Sequence, residues 1–119
     1  MIEERRVRRS ERRGEALCFQ LEASAKRAGA DFMLLASSDG LLVACSDEHR
    51  EASEEVAARL AALDLDPSSS GELWSFGREV VACAFEHDGE SFILGASGSR
   101  PSSQSELSET LRGVVRILS

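Results

Sequence analysis

Apolar residues recur along this chain with two different spacings, and the changes of spacing predict eight elements. Helical spacing predicts three helices, over about residues 3–28, 47–64 and 103–118. Between them, short apolar runs bounded by turn residues predict five strands, over 31–37, 41–45, 72–76, 80–87 and 90–96. The predicted order is therefore α-β-β-α-β-β-β-α.

The first two predicted strands contain little alternation of apolar and polar residues. A strand that faces solvent on one side alternates, whereas a strand covered on both faces is a nearly continuous apolar run. Asp-Gly turns at Asp39-Gly40 and Asp88-Gly89 join neighbouring strands as hairpins, so the pairings should be antiparallel. We therefore expect an α/β fold, a three-layer sandwich in which a five-stranded antiparallel sheet carries helices on both faces.

The overall charge limits the class of partner. The 119 residues carry a net charge of −7, and such a surface repels nucleic acid and anionic membranes. The three cysteines are odd in number and widely spaced, which is typical of reduced thiols. The start of the chain lacks the apolar segment of a signal peptide. We expect a cytoplasmic protein without nucleic-acid or membrane partners.

The charge is unevenly distributed, because residues 3–13 contain six arginines against three glutamates. This asymmetry predicts an Arg-rich helical extension over residues 1–14 and one domain over residues 15–119. The extension has two interpretations: a solubilising helix with i,i+4 ion pairs, or a docking arm for an acidic partner. The residues of such an arm would be Arg5, Arg8, Arg9 and Arg12.

The sequence contains no recognisable catalytic, metal or cofactor site. His87 lies four residues after Cys83 on one predicted strand, roughly 13 Å away, which is too far for proton transfer. No Cys-x-x-Cys pair and no phosphate-binding loop is present. We expect a protein that is not an enzyme and holds no cofactor or metal, although a small enzyme using Cys45 or Cys83 remains an alternative.

The second predicted helix has small residues where charged ones are usual. Its apolar stripe consists of Ala52, Val56, Leu60 and Leu63. Three alanines lie near the opposite face, and a face of small residues allows another helix to approach closely. The predicted interface on this helix comprises Glu54, Ala57, Ala58 and Ala61. The alternative is that alanine is simply the best helix former.

A tryptophan marks the strand that opens the final three-strand meander. A strand in this position is commonly an edge strand, and an exposed edge invites pairing with a second chain. The predicted contact residues there are Leu73, Trp74 and Phe76. The alternative is that Trp74 belongs to the core.

Four segments resemble those of one known family. The hairpin Phe32–Ala44, the strand Trp74–Phe76 and the strands Val80–Phe85 and Phe92–Ala96 look like those of Roadblock (dynein light chain type) domains. The resemblance covers about residues 15–118 in element order. It implies a homodimer in which the first meander strands join edge to edge and the middle helices pack beside each other. Trp74 and Phe76 would then lie at that interface, with Ala57 and Ala61.

The same resemblance suggests a function. Bacterial members of the family commonly bind a Ras-like small GTPase as regulator or scaffold, and they have no catalytic set of their own. We therefore expect a dimeric, non-catalytic interaction module that serves a small GTPase or a cell-polarity or motility complex. The alternative is a profilin-like sensory module that binds a small ligand in a pocket lined by Phe32, Phe85 or Phe92.

Overall fold

The element order is the predicted one. A computed structural model describes residues 2–46, 50–67, 69–75, 78–98 and 104–119. The elements are α1 (Ile2–Ala28), β1 (Phe32–Ser37), β2 (Leu42–Cys45), α2 (Arg50–Ala62), β3 (Ser70–Ser75), β4 (Arg78–His87), β5 (Glu90–Gly98) and α3 (Gln104–Leu118).

The five strands form one antiparallel sheet in the order β2-β1-β5-β4-β3. The β1–β2 hairpin and the β3–β4–β5 meander meet where β1 pairs with β5, with Leu35 opposite Leu94. This pairing leaves β2 and β3 at the two edges of the sheet.

Both faces of the sheet are buried, which confirms the three-layer prediction. On β1, Met33 and Leu35 belong to an apolar cluster under α1 and α3, while the alternate residues Leu34 and Ala36 belong to a second cluster under α2. Because each face needs an apolar surface, β1 cannot alternate with polar residues. Complete burial of one leucine side chain stabilises the fold by about 1.5–3 kcal/mol, so both clusters contribute.

Helix α1 packs on the sheet along its second half. Leu17, Leu21 and Ala25 are buried, whereas Arg12 and Arg13 are exposed. The helix ends at the predicted glycine: Gly29 has a φ of +69°, and the Ala30 N–H donates to the Ala25 carbonyl at 2.9 Å. The backbone is helical from Ile2. The division at residue 14 into an extension and a domain stays a prediction.

A glycine in the middle of the sheet allows α2 to pack closely. A Cβ added to Gly95 would lie 2.9 Å from Leu60 Cδ1 and 3.6 Å from Leu34 Cδ2. Both leucines are completely buried, so neither can move away without disturbing the core. A side chain at position 95 would therefore force the helix away from the sheet.

We expect Gly95→Ala to lower the free energy of unfolding by about 1–3 kcal/mol through overpacking. Gly14→Ala is the matched control, since a Cβ there meets no atom within 4 Å. Because alanine restricts the unfolded chain, the control should gain about 0.5–1 kcal/mol. Urea denaturation at one protein concentration measures both variants. An unchanged unfolding free energy for Gly95→Ala would contradict the packing described.

Candidate interaction surface

The outward side of α2 is a surface of carboxylates and alanines. Its exposed residues include Glu51, Glu54, Glu55, Ala58, Arg59 and Ala62. Two i,i+4 ion pairs lie along it: Arg50 Nε to Glu54 Oε1 at 3.4 Å, and Arg59 Nη2 to Glu55 Oε1 at 3.7 Å. Exposed pairs of this kind add only about 0.3–0.5 kcal/mol each, so a partner can replace them at little cost.

The prediction that Ala57 faces a partner is wrong. Ala57 has no exposed surface and packs in the core cluster under α2, with Val56 and Leu60. Leu63, which was predicted on the inner stripe, lies just beyond the end of α2 and is 41% exposed. The helix is therefore rotated relative to the predicted orientation, with Ser53 and Ala57 turned toward the sheet.

The turn between β1 and β2 explains this orientation. Gly40, with a φ of +91°, lies directly against α2: a Cβ there would be 3.2 Å from Ala61 Cβ and 3.4 Å from Ala58 Cα. Small residues on α2 thus allow this chain's own turn to approach. Ala61 is half-buried and packs against the same core cluster, whereas Ala58 and Glu54 remain exposed.

One residue on this outer face was not predicted from the sequence. Ala62 is exposed and lies four residues after Ala58, so the two alanines are neighbours on the same side of α2. Together they form a strip without large side chains beside Glu55. Predicting that Ala62 is exposed would have required the orientation of α2 on the sheet. The small residue Gly40 in the preceding turn was the signal in the sequence that α2 packs closely there.

Strand β3 is an edge strand, as predicted. In the described part of the chain it pairs with β4 alone, with Leu73 opposite Val80 and Trp74 opposite Glu79. Its other edge is therefore the end of the sheet. Phe76 lies outside the described residues. The roles of Leu73, Trp74 and Phe76 at an interface stay predictions, as does the Arg-rich docking arm.

A second surface, not predicted from the sequence, lies at the opposite sheet edge. A groove of about 620 Å³ separates α1 from β2. Phe19 and Val43 line it and are 71% and 42% exposed. Phe19 is exposed although it lies on the same helix as the buried residues Leu17, Leu21 and Ala25.

The cysteines lie in apolar surroundings. Cys45 is buried in the cluster under α2, and Cys83 packs half-buried against the cluster under α1 and α3. Burial raises the pKa of the Cys83 thiol above its ordinary value, which lowers the fraction present as reactive thiolate. This environment argues against Cys83 as a nucleophile.

The part of the chain that the structure describes contains neither a metal site nor a membrane span. No group of three or more His, Cys, Asp or Glu side chains there is arranged to hold a metal ion. None of the helices in that part of the chain combines the length and apolar character that crossing a bilayer requires.

The pocket expected for a small ligand is present only in part. Phe85 and Phe92 stack with their ring centroids 5.5 Å apart and border a cavity of about 290 Å³. Asp64, Asp66 and Glu86 lie around the same cavity. Phe32 packs in the other core cluster and does not line it.

The architecture defines the class of fold. A five-stranded antiparallel sheet with α1 and α3 on one face and α2 on the other is the Roadblock/LC7 fold. A Roadblock/LC7 domain from Streptomyces avermitillis is similar over 84% of this chain and 95% of its own, at 17% identity and a TM-score of 0.57.

Two structures of a particular protein with this fold, MglB, are also similar. An MglB with a tetrameric arrangement matches 88% of this chain and 89% of its own, at 13% identity and a TM-score of 0.65. The gliding protein MglB of Thermus thermophilus matches 88% and 90%, at 14% identity and a TM-score of 0.62. No family model and no curated protein matches the sequence.

Proposed function

We propose that this chain is a non-catalytic interaction module that dimerises and regulates or scaffolds a Ras-like small GTPase. The observation that carries the proposal is the likeness to MglB structures along nearly the whole chain. One of those structures is a gliding protein, which supports a setting in cell motility or polarity. Membership of the Roadblock family is part of the same proposal.

The dimer would form at the β3 edge. An open strand edge offers unpaired backbone groups, and a second copy can satisfy them by continuing the sheet. Such a contact is isologous, because the same strand of each copy meets its symmetry mate. Leu73, Trp74 and Phe76 would lie there. The tetrameric arrangement of one similar MglB supports self-association.

The outer face of α2 would then contact the GTPase. Ala58 and Ala62 leave the helix backbone accessible, and Glu54 and Glu55 surround them with negative charge. In this arrangement the partner would contribute basic residues, since a complementary charge speeds the encounter. The chain would act by binding, so its own cysteines and histidines have no part in it.

The small-ligand alternative ranks second. The cavity beside Phe85 and Phe92 has a volume of about 290 Å³, at the lower limit of the range of about 300–1,000 Å³ that is usual for ligand pockets. Both rings are at most 7% exposed, so they offer a ligand almost no surface.

We expect light scattering at tens of micromolar to give twice the 12.9 kDa mass of one chain. The physical reason is the outer edge of β3, with which no strand in the described part of the chain pairs. The measurement is made on the full chain across a dilution series. A strict monomer throughout the series would contradict the dimer.

Ala58→Arg should abolish capture of the GTPase while leaving the fold intact. Ala58 is exposed, so the arginine fits in solvent but blocks a close partner. Ala23→Arg is the matched control, because Ala23 is an exposed helical alanine on α1. Affinity purification from the native cell followed by mass spectrometry reads out the captured GTPase. Equal capture by both variants would exclude α2 as the binding face.

A further inference from the structure

The groove between α1 and β2 has an apolar floor that nothing in the described chain covers. Phe19 and Val43, two of the four exposed large apolar side chains among the described residues, both line it. The volume of about 620 Å³ lies well within the range that binding pockets occupy. Exposed apolar groups gathered in one depression are typical of interaction sites rather than of general surface.

The strand beside this groove is interrupted by a bulge. Ala44 lies opposite Leu35, and Leu42 lies opposite Ala36, so Val43 is an extra residue without a Cα partner on β1. The extra residue of a bulge is left out of the ladder. Because β2 is an edge strand, an extended segment can pair along its outer edge, with regular pairing broken at the bulge residue Val43, whose side chain lines the groove.

The charges along the groove favour a basic occupant. Glu15 and Glu22 line the α1 side, four residues before and three residues after Phe19, and therefore flank it on one helix face. Glu22 bonds Lys26 at 3.7 Å, but both side chains are largely exposed, so the pair is weak. Arg50, on the opposite side, forms an equally exposed and equally weak pair with Glu54, so the charged residues lining the groove are two carboxylates and one guanidinium.

We propose that this groove binds an extended segment of another protein that alternates apolar and basic residues and adds a strand to the β2 edge. Its apolar residue packs on Phe19 and Val43, and its basic residues meet Glu15 and Glu22. A second copy fits less well, because symmetric pairing through β2 brings two sets of these carboxylates together. The site is separate from the β3 edge and does not depend on the proposed GTPase.

A random heptapeptide library displayed on phage is the probe, panned on the full-length protein. The double variant Phe19→Glu, Val43→Lys serves for counter-selection. Both residues are exposed, so the variant should keep its melting temperature. We expect enriched peptides that combine Val, Ile or Leu with Lys or Arg. Failure to enrich any peptide over the variant, or enrichment of acidic peptides, overturns the proposal.

Fluorescence anisotropy then measures the selected peptides one by one. Loss of Phe19 should weaken binding by about tenfold or more, as expected for a buried aromatic contact. Leu63→Glu is the matched control, since Leu63 is exposed to the same extent as Val43 but lies just beyond the far end of α2. A backbone N-methyl group in the peptide should also weaken binding. Equal affinity for the N-methylated peptide would exclude strand addition.

The mass of the Phe19→Glu variant, measured by light scattering, shows whether a second copy of this chain occupies the groove instead of a peptide. A peptide-binding groove leaves the oligomeric state of the wild type and of the variant identical. A smaller oligomer for the variant would mean that a second copy occupies the groove, and it would overturn the proposal.

Discussion

Two-sided burial of the central strands is the constraint on which the rest of this molecule depends. On β5, Leu94 points to the cluster under α1 and α3, while Ile93 points to the cluster under α2. Removing either helix layer would expose a row of large apolar side chains. Each Å² of apolar surface exposed to water would lower the free energy of unfolding by about 25 cal/mol. The sheet faces are therefore unavailable to partners. What remains for binding is the two strand edges and the outer sides of the helices.

This constraint also explains why the element order could be predicted. Continuous apolar runs in β1 and β5 indicate strands covered on both faces, and Gly29 marks the end of α1 through its positive φ. Turn residues such as Asp88-Gly89 fix sequence neighbours as antiparallel partners. These are local signals, and each one is set by residues close together in the chain.

The orientation of α2 and the groove beside α1 depend on contacts between distant residues. At helical spacing α2 has apolar residues on two sides, and its contact with the distant turn at Gly40 accompanies the inward position of Ala57. In the same way, Val43 becomes an unpaired bulge residue because of the register between β1 and β2. Periodicity within one element contains no information about either contact.

The proposed contacts lie at the edges of the sheet, and amide hydrogen exchange measured at two protein concentrations distinguishes a covered edge from an open one. Amides of β1 and β5 should exchange slowly and equally in both samples, because their protection comes from within one chain. Amides on β3 should exchange more slowly in the concentrated sample, where a second molecule covers the edge. Exchange on β3 that is the same at both concentrations would contradict the account.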